Sequence, residues 1–260
     1  MSKAREYIAS LASRGQYHFT AEAMQESLNV SHVAAKLALG RLAKQGLVAS
    51  PARGFYVIVP PEYKRLGCLP ADQFIPELMK ELKLSYYAGL LTAAQYYGAA
   101  HHRPQEFQTF VAKNRRPIVC GAVRVAFIAH KRIADASVRS FNTQRGTLLV
   151  STVETTAFDL VGYARHVGGL DQVATILVEL ADQLDSDRLL AAARTVPVPW
   201  VQRLGYLLEL VDAAEKASSI KQYVHATARD TALLLPAEST RSLQSKAWRL
   251  IINTDIEVEA

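Results

Sequence analysis

Apolar residues recur at two different periods along the first sixty residues of the chain, and the change of period predicts its local structure. Helical spacing of apolar positions over residues 3–13, 20–28 and 31–44 predicts three amphipathic helices. From Leu47 to Ile58 the pattern changes to short β-branched and aromatic runs around a Pro–Ala–Arg–Gly connection, which predicts a two-stranded hairpin. The predicted order is therefore helix, helix, tight turn, helix and hairpin.

Residues at the predicted helix ends support these boundaries. Thr20 and Ser31 each precede a helical run, where a hydroxyl can accept a hydrogen bond from an unpaired N–H of the first turn. Asn29 lies in the short connection before Ser31 and favours a tight turn. Gly46 lies two residues after Lys44 and is expected to end the third helix.

The third predicted helix has two faces of different character. Ala35, Leu39 and Leu42 share one face and are expected to pack inward. A short helix, a turn, a second helix and a basic hairpin are the parts of a winged helix-turn-helix, which lays its second helix in the major groove of DNA. The residues expected to face the groove are Ser31, Val33, Lys36, Leu37 and Arg41, and those expected to hold phosphates are Lys44 and, at the hairpin tip, Arg53.

The outward face of this helix contains few polar side chains, which leaves a second interpretation open. Val33 and Leu37 offer no hydrogen bond to a base edge, although they suit the methyl group of thymine. The same two residues would equally suit contact with a protein surface. A small helical domain used for dimerisation or packing is therefore the alternative to DNA binding.

Beyond the hairpin the pattern predicts a larger domain of mixed composition. Pro60 and Pro61 lack backbone donors and favour a linker between residues 59 and 70. The predicted helices are residues 72–82, a buried Tyr- and Ala-rich segment at 86–100, and residues 151–163, 171–183, 186–195 and 198–216, and the predicted strands are residues 107–111, 117–120, 123–129 and 247–252. We therefore expect an α+β protein with an N-terminal winged helix-turn-helix at residues 1–60 and a larger mixed α/β C-terminal domain at residues 65–260.

Charge is distributed unevenly along the chain, and the distribution says more than the net charge of +6. Lys and Arg exceed Asp and Glu by four in residues 1–60 and by seven in residues 61–150, whereas acidic residues are in excess by five in residues 151–260. A basic front half favours a polyanionic partner, and an acidic back half favours a basic one. A candidate second basic surface comprises Lys113, Arg115, Arg116, Arg124, Lys131, Arg132 and Arg139. Contact with DNA, contact with a toxin or RNA, and simple solvation are the three alternatives for this surface.

The remaining composition argues against several classes of protein. No run approaches the roughly 18 apolar residues that a membrane span requires, and the mixed charged and apolar start is unlike a signal peptide. Cys68 and Cys120 have no Cys or His neighbours at the spacing of a zinc site. We therefore expect a cytoplasmic protein with two free thiols, no cofactor and no membrane partner.

Several motifs occur in the order and spacing of a known family. They are RGFYVI at residues 53–58 with PPEY at 60–63, YYAGLLTAA at 86–94, VSTVETTAFDL at 150–160, RLGYLLE at 203–209 and WRLIINTDIE at 248–257. Together they resemble the AbiEi antitoxins of bacterial abortive-infection, or type IV, toxin–antitoxin systems. Arg203, Gly205, Tyr206 and Glu209 are motif positions to which the resemblance assigns no role.

The resemblance implies two activities. The winged domain would bind inverted repeats in the promoter of its own operon and repress it. The domain at residues 65–260 would neutralise a nucleotidyltransferase-like toxin, with which it need not form a stable complex, as part of phage defence. The competing interpretation is a plain winged-helix transcriptional regulator whose C-terminal domain senses a small molecule.

Enzyme chemistry is a third alternative. Asp72, Glu81 and Lys83 have the residue types of a metal-dependent nuclease. However, they lie on or at the end of an amphipathic helix, on which Glu77, Lys80 and Lys83 are spaced for surface ion pairs. His101 and His102 are adjacent and would point in different directions on a helix, which makes them poor metal ligands. We therefore expect no catalytic residues and no metal site.

Overall fold

The computed structural model describes residues 2–99, 105–236 and 243–258, and the chain divides into two compact units. The first unit comprises Met1–Tyr87, Gln105–Lys131 and Ser140–Leu149. The second unit comprises Ala88–Pro104, Arg132–Arg139 and Val150–Ala260. The predicted boundary near residues 60–65 falls inside the first unit, so the assignment of separate functions to residues 1–60 and 65–260 stays a prediction.

The N-terminal part of the first unit contains helices and strands close to the predicted positions. They are α1 (Lys3–Ser13), β1 (His18–Thr20), α2 (Ala21–Leu28), α3 (His32–Lys44), β2 (Val48–Ala52) and β3 (Phe55–Ile58). The central strand β3 pairs antiparallel with β1 on one side and β2 on the other. The sequence pattern does not predict β1, because three residues are too few to establish a period.

The hairpin formed by β2 and β3 carries buried residues on both faces. One face, with Val48 and Ile58, packs against the N-terminal helices. The other face, with Phe55 and Val57, packs against residues that follow the two prolines at 60 and 61. The latter residues include Cys68, Leu69, Phe74, Ile75, Val111 and Val125. Because alternate residues of a strand point to opposite faces, one short hairpin contributes to two hydrophobic cores.

A six-stranded sheet, most of which lies in the first unit, follows the helix α4 (Ala71–Glu81). Its strands are β4 (Tyr86–Ala88), β5 (Phe107–Val111), β6 (Ile118–Cys120), β7 (Val123–Ala129), β8 (Val138–Thr143) and β9 (Gly146–Ser151), in the order β6-β7-β5-β4-β9-β8. β5 and β7 are parallel, and β6 and β7 form an antiparallel hairpin. The predictions for β5, β6 and β7 are confirmed to within one residue. β8 escapes prediction because most of it is exposed and its pattern is not apolar. β9 is also missed, although Leu148 and Val150 are buried.

The Tyr- and Ala-rich segment that the sequence predicts as one buried helix has a different structure. Its first residues form the strand β4, and the helix α5 (Leu90–Tyr96) begins only after Gly89. Aromatic residues favour strands, and Tyr87 packs on Phe110 of β5 with the ring centroids 4.9 Å apart. Tertiary packing of the aromatic rings therefore overrides the helical spacing.

The second unit is mainly helical in its described residues. Its longer helices are α6 (Val153–Gly162), α7 (Leu170–Leu180), α8 (Ser186–Ala193), α9 (Val198–Leu210) and α10 (Ala214–Thr227). The single helix predicted at residues 198–216 is wrong, because the chain turns at Asp212, whose φ is 59°. Asp is one of the few residues that tolerate this left-handed conformation, which apolar periodicity does not reveal. The chain then continues as α10 well beyond residue 216, where the predicted helix ends.

Three short strands belong to the C-terminal part of the second unit. They are β10 (Ala232–Leu233), β11 (Leu243–Ser245) and β12 (Leu250–Ile252), with β12 in the centre. The strand predicted at residues 247–252 is therefore shorter than expected. Trp248 lies in a turn before β12 and is fully buried, so its apolar character reflects packing rather than strand structure.

The elements together confirm a mixed α+β protein, as the sequence predicts. Helices and strands both occur in the first unit, whereas helices dominate the described part of the second. Along the described ranges, no helix is both long enough and apolar enough to cross a bilayer.

Candidate nucleic-acid interface

Two side-chain caps fix the connection between α2 and α3. The Thr20 hydroxyl accepts a hydrogen bond from the Ala23 N–H at 3.1 Å, and the Ser31 hydroxyl accepts one from the Ala34 N–H at 3.3 Å. Between them, Asn29 has a φ of 47° and ends α2. These contacts satisfy N–H groups that a helix start would otherwise leave unpaired, and they confirm the predicted caps and turn.

The helix α3 separates buried and exposed residues as its sequence predicts. Ala35, Leu39 and Leu42 are buried. The residues expected to face a DNA groove, Ser31, Val33, Lys36, Leu37 and Arg41, are all exposed. Val33 is 66% exposed and Leu37 is 57% exposed, which is unusual for two large apolar side chains one turn apart. Such a pair indicates a contact surface for a partner, and its use for DNA stays a prediction.

The tip of the β2–β3 hairpin presents Arg53 to solvent. The next residue, Gly54, has a φ of 79°, a conformation that glycine adopts without steric cost. Its carbonyl accepts a hydrogen bond from the Ala21 N–H at 2.9 Å, which joins the tip to the start of α2. The Ser50 hydroxyl bridges two carbonyls within the hairpin at 2.9 and 3.1 Å. The backbone of the tip is therefore held in place while the Arg53 side chain stays on the surface.

A cation that the sequence analysis does not single out lies beside α3. Arg5 of α1 donates two hydrogen bonds to the Gln45 side chain, at 3.2 and 2.9 Å. Arg5, Arg41 and Gln45 line a groove of about 270 Å³. Arg41 and Lys44 lie in the last turn of α3, where cations interact favourably with the helix dipole. Arg5 and Gln45 are forty positions apart in the sequence. Arg5 is therefore revealed only by the packing of α1 on α3.

Three cations of the candidate second basic surface lie together in the loop between β5 and β6. Lys113, Arg115 and Arg116 are exposed, and the Arg115 guanidinium lies 6.0 Å from the ring centroid of Phe127. A groove of about 450 Å³ is lined by Arg115 and Arg116 and by Pro51 and Ala52 of the β2–β3 hairpin. The structure therefore brings this loop close to the hairpin that carries Arg53.

The other four cations of that surface have different surroundings. The half-buried Arg124 donates from one nitrogen to the carbonyls of Gly121 and Val123, at 2.9 and 3.2 Å. Arg132 forms an ion pair with Asp135 at 2.6 Å. Lys131 belongs to the first unit, and Arg132 and Arg139 belong to the second. Lys113, Arg115 and Arg116 are thus the part of the predicted surface best placed for a polyanion.

The residues considered for nuclease chemistry do not converge. Asp72 lies in the first turn of α4 and Glu81 is its last residue, so they are separated by roughly 14 Å along the helix axis. The described residues contain no group of three or more His, Cys, Asp or Glu side chains that would hold a metal ion. His101 and His102 lie outside the described residues.

Residues 87–210 match a protein family described as the AbiEi antitoxin C-terminal domain. The chain carries an AbiEi antitoxin domain. The match confirms the resemblance that the ordered motifs indicate. An antitoxin of this family belongs to a toxin–antitoxin system, so the AbiEi domain implies a toxin as a partner.

Solved structures include a similar fold. The structure of the RV2827C protein from Mycobacterium tuberculosis matches with a TM-score of 0.68 and 16% sequence identity, over 95% of this chain and 90% of that chain. At this identity the similarity shows the fold of the chain that carries the AbiEi domain, and nothing about its partners. A comparison with curated protein sequences finds no match.

The AbiEi motif at residues 203–209 has structural contacts. The Arg203 Nε donates to the Leu233 carbonyl of β10 at 2.9 Å, and burial lowers the pKa of Arg203. Glu209 forms an ion pair with Lys221 of α10 at 2.8 Å. Burial also raises the pKa of Tyr206. Arg203 and Glu209 of the motif therefore join α9 to β10 and α10.

A second AbiEi motif forms a buried polar network at the start of α6. The Tyr97 hydroxyl donates to the Ser151 carbonyl at 2.7 Å, and the Ser151 and Thr156 hydroxyls are 2.7 Å apart. Burial raises the pKa of Tyr97 to about 12. The buried Glu154 accepts a hydrogen bond from the Asp185 N–H before α8 at 3.3 Å. These contacts orient α6 within the AbiEi domain.

Proposed function

We propose that this protein is a cytoplasmic antitoxin that represses its own operon and neutralises a nucleotidyltransferase-like toxin. Residues 1–60 would act as a winged helix-turn-helix on inverted repeats of the promoter, and residues 65–260 would neutralise the toxin. One observation carries the DNA-binding part: Lys36 and Arg41 on the exposed face of α3 occur in the same chain segment as Arg53 at the hairpin tip. The AbiEi domain carries the antitoxin part.

Each side chain has a separate role in this proposal. α3 lies in the major groove, where Lys36 and Arg41 reach base edges or phosphates while Val33 and Leu37 contact thymine methyl groups. Lys44 and Arg53 hold phosphates on either side, and Arg53 lies in or beside the minor groove. The Ser31 hydroxyl also faces the groove while it caps α3.

The burial of the hairpin limits how it contacts DNA. Most residues of β2 and β3 pack in the two hydrophobic cores, so Ser50 is the one exposed side chain that the strands offer to a groove. Within the hairpin at residues 48–58, Arg53 at the exposed tip is the one cation that can approach the duplex. The tip therefore adds affinity through phosphate contact rather than sequence reading.

The loop with Lys113, Arg115 and Arg116 extends this phosphate-binding surface. It shares a groove with Pro51 and Ala52, so a duplex held at the tip would pass near its cations. Binding of a toxin or RNA is the alternative for this loop. The two uses differ in whether the loop affects the salt dependence of promoter binding.

The deciding experiment measures binding of the full-length protein to its own promoter over a range of salt concentrations. Arg53→Ala is expected to weaken binding and to reduce the slope of log K against log salt by about one unit, since one phosphate contact is lost. Arg65→Ala removes an exposed arginine from the same unit and serves as the matched control. An unchanged affinity and slope for Arg53→Ala would contradict the proposed contact. Lys113→Ala should lower the slope in the same way, and an unchanged slope would assign the loop to another partner.

The antitoxin part is tested by growth. The full-length protein is produced together with the product of the adjacent gene, and growth is compared with and without the antitoxin. Rescue is expected for the wild type and also for Arg53→Ala, because repression and neutralisation use different parts of the chain. Failure of the wild type to restore growth would favour a plain transcriptional regulator with a ligand-sensing C-terminal domain.

A further inference from the structure

The groove beside the loop between β5 and β6 combines an apolar wall with a basic rim. Its volume of about 450 Å³ falls within the range of roughly 300–1,000 Å³ that is usual for sites of small molecules. The wall includes Ala52, Leu78, Leu82, Ile118 and Phe127, and the rim consists of Asn114, Arg115 and Arg116. All of these residues belong to the first unit, so the groove lies within one compact body.

The apolar wall of this groove is open to a ligand. Leu82 directly follows α4 and is 36% exposed, and the Phe127 ring of β7 is half-buried. Leu78, one turn before Leu82, is buried and forms the floor. A phosphate backbone that approached the rim would use only its cations and would leave this apolar surface uncovered. A ligand with a planar, largely apolar part would cover it.

The two arginines of the rim are available to an anion. Within the described ranges, neither Arg115 nor Arg116 forms an ion pair or donates a hydrogen bond to another residue. Arg132, by contrast, is engaged by Asp135. The Arg115 guanidinium lies 6.0 Å from the centroid of the Phe127 ring, which is the outer limit of a cation–π contact, so little is lost if it moves. Each guanidinium is a planar fork of donors that matches the oxygens of a phosphate.

Asn114 adds a group of a different kind to the same rim. Its amide offers both a donor and an acceptor, the combination that pairs with the edge of a nucleic-acid base. Among the described residues this exposed side chain has no hydrogen-bond partner. A peptide rich in Asp and Glu would also suit Arg115 and Arg116, but its side chains present neither a base edge nor a planar ring. The aromatic face of Phe127 and the Asn114 amide therefore favour a nucleotide over an acidic peptide.

We propose that this groove binds a nucleoside phosphate. The base lies against Phe127 on the apolar wall, and Asn114 hydrogen-bonds to its edge. The Arg115 guanidinium leaves the ring as the base takes its place, and together with Arg116 it holds the phosphates. Binding is reversible and non-covalent. The site requires neither DNA nor toxin, so it goes beyond the proposed antitoxin function.

The test measures binding of nucleotides to the full-length protein by isothermal titration calorimetry at about 0.15 M salt, which screens weak surface attraction. The probes are ATP, GTP, CTP and UTP, with inorganic triphosphate as the probe that lacks a base. At least one nucleotide should bind saturably, with one molecule per chain. Inorganic triphosphate should bind at least roughly tenfold more weakly, because stacking of the base on an aromatic ring is lost.

Nuclear magnetic resonance of the wild type locates the ligand without any substitution. The methyl resonances of Leu78, Leu82 and Ile118 should move as the nucleotide is added, because these side chains line the groove. The methyl resonances of Val33 and Leu37, which are exposed on α3, should stay in place and serve as the internal control.

Three variants assign the separate contacts. Arg115→Ala and Arg116→Ala should each weaken nucleotide binding roughly tenfold, since a charged hydrogen bond to phosphate is lost. Phe127→Leu keeps the wall apolar but removes the ring, so it should reduce the preference for the nucleotide over inorganic triphosphate. Arg65→Ala removes an exposed arginine of the same unit and should leave the affinity unchanged.

Three results would overturn the proposal. The first is the absence of saturable binding for all four nucleotides. The second is equal affinity for inorganic triphosphate, which would make the rim a general phosphate surface. The third is movement of the groove methyl resonances with a glutamate-rich peptide but with no nucleotide, which would assign the groove to a protein partner. Because no DNA or toxin is present, each outcome is independent of the proposed antitoxin function.

Discussion

The indole ring of Trp248 lies directly against Gly205 in the middle of α9. A Cβ added to Gly205 would overlap three atoms of the ring. Trp248 is fully buried, and the Lys221 ammonium lies 5.6 Å from its ring centroid. The glycine of the AbiEi motif therefore makes room for the tryptophan of the C-terminal motif, which links two motifs that are far apart in the sequence.

Replacement of this glycine is expected to destabilise the protein although alanine favours helices. Gly205→Ala forces the ring of Trp248 or the axis of α9 to move, and overpacking of this kind costs about 1–3 kcal/mol. Gly40→Ala is the matched control, because Gly40 is also helical and a Cβ there has nothing within 4 Å. That control should gain about 0.5–1 kcal/mol. Denaturant unfolding of both variants measures the difference, and equal stability changes would contradict the packing argument.

Arg145 is expected to stabilise the first unit more than a surface arginine does. Its guanidinium lies 3.5 Å from the centroid of the Tyr17 ring, donates to Gln73 at 2.7 Å, and contacts Glu62 at 3.4 Å. The side chain is only 15% exposed. Arg145→Ala should lower the free energy of unfolding by about 2 kcal/mol, since charged hydrogen bonds and stacking on the ring are both lost.

The lysine variant distinguishes charge from shape at this position. Arg145→Lys keeps the charge but loses the planar fork, so it should recover less than half of the loss. Arg65→Ala, at an exposed position, should change the unfolding free energy by less than about 0.5 kcal/mol. Full recovery by lysine would show that only the charge at residue 145 matters.

The pattern of apolar residues predicts the elements around α3 but not these contacts. Caps, turns and the buried face of α3 depend on residues within a few positions of each other, so Thr20, Ser31 and Leu39 can be read from the sequence. Tyr17 and Arg145 belong to segments more than a hundred residues apart. No local period carries information about such a pair, because each residue alone has the pattern of an ordinary surface position.

The face of the β2–β3 hairpin that carries Phe55 and Val57 shows that local sequence patterns are also limited in predicting domain boundaries. Pro60 and Pro61 correctly mark the end of β3, and the sequence places a linker there. However, Phe55 and Val57 pack against Phe74 and Ile75 beyond it. A break in secondary structure therefore does not coincide with a break in the hydrophobic core. For the candidate interface, the exposed residues of α3 follow from its period, whereas Arg5 and the loop at residues 113–116 depend on tertiary packing.

Stability of the first unit is expected to fall as His18 becomes protonated. Burial lowers the pKa of His18 below 6.5 and outweighs the attraction of Glu77, whose Oε2 lies 3.5 Å from Nε2; Lys80 lowers the pKa further and Glu81 raises it. A group with a lowered folded-state pKa stabilises the fold above its unfolded pKa, and this contribution is lost as the pH falls from about 6.5 through the folded value. His18→Gln should therefore show a flatter dependence of unfolding free energy on pH in this range.

Substitution of Glu77 provides a control, because it should make the pH dependence of the unfolding free energy steeper rather than flatter. Glu77→Gln removes an attraction that favours protonated His18, so the pKa of His18 should fall further and the loss of stability at low pH should become larger. Denaturant unfolding at a series of pH values measures both variants. If the wild type became more stable as the pH fell through 6.5, relative to His18→Gln, the ion pair with Glu77 would outweigh burial.

Leu37 is expected to contribute to sequence reading and not to the salt dependence of promoter binding. It is an exposed apolar residue one turn from Val33, and an apolar side chain in the major groove recognises thymine through its methyl group. Replacement of a contacted thymine by uracil removes that methyl group and should weaken wild-type binding by about 1 kcal/mol. The Leu37→Ala variant should bind the thymine and uracil promoters equally and keep the wild-type salt slope.

Lys36→Ala, one position away on the same face, is the control. It should reduce the salt slope while it still distinguishes thymine from uracil. A Leu37→Ala variant that retains the full preference for thymine would show that the exposed apolar pair of α3 serves a protein contact instead.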